Sequence, residues 1–271
     1  MKAKAILALS LPLAALTVIA SSIALFTPNF YSKETANWAA QSTGQDMTDL
    51  LLIAPVLLIA SIFAARKNRS AIFIWGGTNL YLLYTFIIYC FDIHFNKLFL
   101  VYCFALGLSF YSFFYFLLSM IEENVLEWFK SKRSFRFIGI YFLLISLIFC
   151  FAWLSEVLPA LITNNTPRGL IGTNLFTNPV HVVDLSVFLP GLFLTGMLLL
   201  KKKPLGLLMT PIMLSFFILM DITIGGLVLV MKEKGSGGDF TVTIVMSLLA
   251  VFSVILLIIF LKDLKQPSDR H

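Results

Sequence analysis

The sequence predicts an all-α membrane protein, a single domain built as a bundle of eight transmembrane helices. The first observation is the composition, because 59% of the 271 residues are hydrophobic and only 13% are charged. A soluble domain has about 45–50% apolar and about 25% charged residues, so this chain has too little polar surface to cover a fold in water. The second observation is that the apolar residues fall into eight long runs.

Each run can cross the roughly 30 Å hydrocarbon core of a bilayer, which needs about 20 residues of helix. The predicted spans are Ala5–Phe26, Thr48–Ala65, Ala71–Phe91, Leu98–Ile121, Phe137–Leu158, Val182–Leu200, Leu205–Met231 and Phe240–Leu261. Only a few residues follow the second, third and sixth spans before the next one begins. Each of these spans must therefore be an antiparallel neighbour of its successor.

The basic residues predict the orientation of the bundle. Fifteen of the 20 Lys and Arg residues fall on the side that holds both chain ends, and five fall on the other. Because cytoplasmic loops are enriched in these residues, both termini are predicted to be cytoplasmic. The formal charge of +6 does not indicate nucleic-acid binding, since the basic residues form short clusters between apolar runs.

Two segments allow more than one interpretation. Met1–Ala24 follows the pattern of a signal peptide, and cleavage would leave seven helices, but its apolar run exceeds the usual 7–15 residues. We therefore favour a retained first span. The connection Glu122–Arg136 mixes apolar and basic residues, so it forms either an amphipathic helix on anionic lipid of the inner leaflet or a solvated basic loop.

Ionisable residues concentrate at the outer end of the bundle, and the sixth span opens with the sharpest group. Asn178 is a good helix N-cap, and His181 and Asp184 are three residues apart on one face of the first turn. The aspartate there is positioned to orient the imidazole. The alternative is a capped helix whose polar first turn lies among lipid headgroups.

Three further residues lie near the same surface. Asp92 and His94 follow the third span, and Glu156 lies at the end of the fifth. Together with His181 and Asp184 they are candidate ligands for zinc, iron or manganese, although no motif such as HExxH brings them together. The sequence identifies no cofactor.

Asp221 is the carboxylate that lies well inside a predicted span. A charged aspartate at a helix centre costs about 2.5–3.5 kcal/mol on insertion scales, so the residue is expected to face the bundle. Asn79, beside Gly76 and Gly77 in the third span, is a possible partner. Its alternative role is a hydrogen bond between helices near a close glycine contact.

Three segments carry a resemblance to a known family: Tyr81–Phe99, Leu154–Leu161 and Thr177–Leu185. They resemble a family of uncharacterised bacterial polytopic membrane proteins of about this length, to which no activity is assigned. The resemblance implies a multi-pass protein of the bacterial cytoplasmic membrane and adds no mechanism.

Three functions are compatible with these observations. The first is a proton- or cation-linked carrier of a small solute, with a polar vestibule formed by Glu156, Asn178, His181, Asp184 and Asp221. The second is a membrane-embedded enzyme at the outer leaflet, and the third is an accessory or sensor subunit. The outer loops are too short for a catalytic domain, so a carrier is ranked first. No internal repeat relates the first four spans to the last four.

Overall fold

The computed structural model describes residues 1–130, 135–171 and 173–265. In these residues eight helices are long and apolar enough to cross a membrane, so the predicted eight-helix bundle is confirmed. The helices are α1 (Ala3–Phe26), α2 (Ala36–Ala65), α3 (Arg69–Asp92), α4 (Phe99–Ile121), α5 (Arg136–Thr163), α6 (Pro179–Leu200), α7 (Pro204–Glu233) and α8 (Phe240–Leu261). The chain is a multi-pass membrane protein.

The two ends of the bundle differ in charge. At one end, here called the basic end, the Arg69 guanidinium donates to the carbonyl of Lys265 at 2.6 Å, which joins the beginning of α3 to the end of the described chain. The opposite, acidic end holds Glu34 and Asp92. Four charged residues that the sequence analysis counted lie outside the described residues: Lys132, Arg133, Asp269 and Arg270.

The largest difference from the predicted spans is the beginning of α2, at Ala36 rather than Thr48. The added residues mix polar side chains with small apolar ones and contain no long apolar run, so hydropathy did not indicate them. They form a helix because other parts of the protein surround them: the Thr35 side chain caps it, and the Lys234 ammonium donates to the Thr43 hydroxyl at 2.9 Å. The other helix ends differ from prediction by at most five residues.

In residues 122–130 and 135–136, the described part of the connection Glu122–Arg136, the structure has no amphipathic helix, which was one of the two predicted alternatives. This part contains one short 3₁₀ turn, Val125–Trp128, and Trp128 is buried within the bundle. The Trp128 ring lies 5.7 Å from the Phe73 ring, centre to centre, and the Arg69 guanidinium lies 4.7 Å from its centre. Val125, Trp128 and Phe129 are buried at the basic end, whereas Leu126 is exposed, and a contact with anionic lipid stays a prediction.

The first helix packs inside the bundle against α2 and α4. Its Ser10, Leu13 and Thr17 are buried, and the Ser10 hydroxyl accepts a 2.7 Å hydrogen bond from the indole of Trp75. Cleavage of this segment, the seven-helix alternative, would remove the partner of a buried indole.

The first four helices and the last four repeat one arrangement, which the sequence analysis did not detect. In each half, consecutive helices pack against one another, and each half begins at the basic end. The second helix of each half contains a π-helical turn that begins at an aspartate, Asp49 in α2 and Asp184 in α6. A proline follows six residues later in both, Pro55 and Pro190.

Two more pairs of positions keep the same spacing. Asp46 lies three residues before Asp49, as His181 does before Asp184. Beyond the helices, Lys67 and Lys202 both adopt left-handed backbone conformations, with φ of 64° and 54°. Every second-half position lies 135 residues after its counterpart. Because both halves run in the same direction, this is a parallel repeat, of the kind that relates the halves of some transporters.

The third helices of the halves, α3 and α7, meet at the centre of the molecule. A methyl group added at Gly77 of α3 would overlap the Ser215 side chain of α7 and would lie 2.8 Å from the carbonyl oxygen of Ile212. The absence of a side chain at Gly77 therefore lets the two helices approach closely, as small residues do in membrane bundles.

We expect Gly77→Ala to destabilise the protein by about 1–3 kcal/mol, because the added methyl group must push α3 away from α7. The measurement is unfolding in mixed detergent micelles by titration with sodium dodecyl sulfate. The control is Gly107→Ala in α4, where an added methyl group meets no atom within 4 Å. Equal stability of the two variants would contradict the central role of this contact.

Candidate functional site

A cavity of about 290 Å³ lies between the two halves. Residues of α2, α3, α5, α6 and α7 line it, and most of them are apolar or aromatic. Its polar lining is formed by a smaller set: Trp38, Gln41, Ser42, Gln45, Tyr84, Thr85, Tyr89, Trp153, Asp184, Asp221 and Thr223. A mostly apolar cavity with a few convergent polar groups is typical of a small-molecule site.

Asp184 lines this cavity where the π-helical turn of α6 begins. The indole N–H of Trp153 donates to its Oδ2 at 2.8 Å, and Tyr84 lies beside the same carboxylate. π-Helical turns occur frequently at functional sites, because the extra residue changes the direction of the side chains. The Trp153 indole and the Tyr84 hydroxyl thus hold the Asp184 carboxylate in place in the wall of the cavity.

Asp221 lines the same cavity from α7 and is only 4% exposed. Its Oδ2 is buried and has no hydrogen-bond partner among the described residues. The predicted partner, Asn79, does not contact it through a hydrogen bond; the Asn79 amide donates to the Trp75 carbonyl at 2.8 Å within α3. Asp221 and Asp184 are therefore two carboxylates on one cavity, contributed by different helices of the second half.

The beginning of α6 has the predicted cap but not the predicted His–Asp pair. The Asn178 side chain accepts hydrogen bonds from the backbone of Val180 and His181. The His181 ring packs on Trp153 at 4.5 Å between centres, and its Nε2 lies 3.9 Å from Glu156 Oε2. Within the described residues no hydrogen bond joins the side chains of His181 and Asp184, and the Asp184 carboxylate accepts from Trp153 instead.

The five candidate metal ligands do not assemble. His94 is bound to Glu34, whose two carboxylate oxygens accept from the His94 backbone and approach its Nδ1, each at 2.8 Å. Asp92 is buried and makes no side-chain hydrogen bond to either residue, and His181 lies beside Glu156. Across the described parts of the chain, no three His, Cys, Asp or Glu side chains are placed to share a metal ion.

The densest polar network surrounds Asp46 and Asp49 of α2, which the sequence analysis did not single out. The Tyr31 and Tyr89 hydroxyls donate to the two oxygens of Asp46 at 2.6 and 2.8 Å. Burial and the neighbouring Asp46 raise the pKa of Tyr31 well above its ordinary value, so the hydroxyl keeps its proton and donates. Both oxygens of Asp46 thus have partners.

Asp49 connects this network to the cavity. Its Oδ1 accepts from the Gln45 amide at 3.0 Å and from the Tyr81 hydroxyl at 3.3 Å. The Tyr81 hydroxyl also lies 2.8 Å from the Thr223 hydroxyl of α7. Because Gln45 and Thr223 line the cavity, the Asp49 network forms part of its wall.

No ion pair with Lys or Arg neutralises Asp46, Asp49, Asp184 or Asp221 among the described residues. Carboxylates inside a membrane are costly and mark ion, proton or substrate pathways. The acidic half of the bundle therefore combines four carboxylates with no basic counterpart beside them.

No protein family, curated protein or solved structure matches this chain.

One signal in the sequence does point to Asp46 and Asp49, the pair that the sequence analysis missed. The motif Asp-x-x-Asp-Leu with a proline six residues after the second aspartate, at Asp46 to Pro55, repeats as His-x-x-Asp-Leu with the same proline spacing at His181 to Pro190. Aligning α2 with α6 on this motif places Asp46 and Asp49 opposite the two residues that the sequence analysis chose.

We expect Tyr89→Phe to lower the free energy of unfolding by about 1–3 kcal/mol, because it leaves one buried oxygen of Asp46 without that donor. The matched control is Tyr111→Phe, whose ring is exposed on α4. Thermal unfolding in detergent compares the two variants with the wild type. A loss confined to Tyr89→Phe supports a structural role for Asp46, whereas two identical melting curves would count against it.

Proposed function

We propose that the protein is a proton- or cation-linked carrier of a small solute, with its binding site in the cavity that contains Asp184 and Asp221. The observation that carries the proposal is the position of this cavity between two parallel repeats. Secondary transporters bind solutes at repeat interfaces inside the membrane and change access by moving one repeat against the other.

The charge of the cavity supports linkage to a cation. One oxygen of Asp184 accepts a hydrogen bond from the Trp153 indole, and one oxygen of Asp221 has no hydrogen-bond partner in the described chain. A proton or a cation that binds here would supply the missing interaction. The volume of about 290 Å³ lies at the small end of the range of ligand sites, which suits a small solute.

The membrane-embedded enzyme has narrower support. It rests on the 3.9 Å distance between His181 Nε2 and Glu156 Oε2. The described residues offer no metal cluster, and none of their carboxylates makes a hydrogen bond to the imidazole of His181. The carrier explains more of the buried carboxylates, including the network of Asp49 that forms the cavity wall. An accessory or sensor role does not explain why Asp221, a buried carboxylate, lines the cavity.

The proposed location follows from the resemblance and the basic residues. We propose the bacterial cytoplasmic membrane, with both termini in the cytoplasm, so that the cavity opens toward the outside. A fluorescent protein fused to the C terminus is then expected to fold and fluoresce, and alkaline phosphatase fused there is expected to be inactive. Active phosphatase at the C terminus would show that the orientation is the opposite of the one proposed.

We expect proteoliposomes to show transport currents on a solid-supported membrane when a solute of the right class is added. The panel contains organic cations, organic anions, zwitterionic amino acids and neutral polyols, each at two pH values. Asp221→Asn removes a cavity carboxylate and is expected to abolish the current, whereas Asp239→Asn changes a fully exposed helix cap and keeps it. Full activity of Asp221→Asn, or no current with any class, would refute the carrier.

A further inference from the structure

A second cavity, here called the lateral groove, lies at the acidic end beside the first. Its volume is about 510 Å³, and it lies between the end of α3 and the beginning of α6. Apolar residues with exposed side chains form its side toward lipid, among them Phe91, Phe176 and Val182. The lateral groove is therefore accessible from the membrane and not only from water.

Asp92 lies in the wall of this groove and is its unusual feature. The residue is 1% exposed, and neither carboxylate oxygen has a hydrogen-bond partner in the described chain. A buried carboxylate without partners is costly, so its position calls for a ligand.

The nearby basic residues are directed elsewhere. The Lys33 ammonium donates to the carbonyl of Phe95 at 2.8 Å, and the Lys97 ammonium lies 5.7 Å from the centre of the Phe30 ring. His94, which also lines the groove, is bound to Glu34. None of these side chains donates to Asp92, so its carboxylate has no positive partner among the described residues, and a cationic ligand would complement it.

The lateral groove adjoins the central cavity. Ile93 lines both, and the consecutive residues Pro179 and Val180 line the groove and the cavity respectively. Asp92 and the pair of Asp184 and Asp221 therefore line adjoining cavities.

We propose that the lateral groove is the entrance for the solute, and that the solute is an organic monocation with an apolar body. The ammonium group binds Asp92 while the apolar body lies on Phe91 and Phe176, whose rings also favour a cation. The solute then passes Ile93 into the central cavity, where Asp184 and Asp221 accept the charge. A metal ion fits less well, because the groove offers it a single free carboxylate and an apolar wall.

The inference rests on the proposed carrier function, and a binding experiment separates the two. The probe is 2-phenylethylammonium, a primary amine that is protonated at neutral pH and donates hydrogen bonds, and its equilibrium binding is measured with protein in lipid nanodiscs. Asp92→Asn is expected to weaken binding about 10- to 100-fold, the range for losing a hydrogen bond to a charged group. Phe176→Ala is expected to weaken it about 2- to 5-fold, the range for losing an exposed cation–π contact. Phe176 is fully exposed, so its replacement leaves the fold intact.

Two competitors and one control variant define the class of solute. Choline keeps the charge without the aromatic body, and 2-phenylethanol keeps the body without the charge, so both are expected to compete weakly. Asp239→Asn, at an exposed cap of α8, is expected to bind the probe as the wild type does. Unchanged binding by Asp92→Asn, or equal competition by 2-phenylethanol, would overturn the inference.

Transport of the same probe tests the path. Ile93→Trp is expected to keep probe binding and to lose the transport current, because the larger side chain fills the passage. If the probe neither binds nor moves while another solute class gives currents that need Asp221, the inference fails and the carrier survives. If the probe binds through Asp92 and no solute is transported, the carrier fails and the groove remains a cation site.

Discussion

The close approach of α3 to α7 at Gly77 is the constraint on which the rest of the structure depends. It joins the two four-helix halves at their third helices, where an added methyl group would meet Ser215. One turn further along α3, the Tyr81 hydroxyl can reach Thr223 of α7 only because the backbones are this close. The cavity then lies beside the same pair of helices, on the side toward the acidic end.

The two halves use equivalent positions differently. In the first half, Tyr31 and Tyr89 occupy both oxygens of Asp46, and Gln45 and Tyr81 donate to Asp49. Buried polar groups need such partners. In the second half, Asp184 interacts with Trp153 and Tyr84, and His181 packs on Trp153 with its Nε2 3.9 Å from Glu156. The pair of the first half is thus held by hydrogen bonds beside the cavity, whereas Asp184 of the second half lines the cavity itself.

Hydropathy and charge predicted the eight spans because both are properties of a single segment of chain. The first turns of α2 escaped prediction, since their polar residues are stabilised by contacts such as that between Lys234 and Thr43, which are distant in sequence. Because the second span was predicted to begin only at Thr48, Asp46 was not recognised as part of a membrane helix. An acidic residue within an apolar run is conspicuous, so Asp221 was found.

The proposed ligand cluster could not be tested at the level of sequence, because no local pattern tells which helix ends meet. His94 binds Glu34, a residue 60 positions earlier, and not His181. The repeat was equally hidden, since the paired positions keep their spacing but exchange Asp46 for His181. The matching π-helical turns at Asp49 and Asp184 reveal the equivalence, and the common spacing to Pro55 and Pro190 then becomes recognisable in the sequence.

The depth of the cavity carboxylates has an electrical consequence. Counting along the helices from the basic end, Asp49, Asp184 and Asp221 lie about 24–26 Å into a hydrocarbon layer of about 30 Å. A cation that reaches them from the acidic end therefore crosses only about a fifth of the transmembrane field. At 100 mV this amounts to about 0.5 kcal/mol of the roughly 2.3 kcal/mol for a full crossing. For the proposed carrier, cation binding would thus be nearly insensitive to voltage, and most of the electrical work would fall on the passage between the cavity and the basic end.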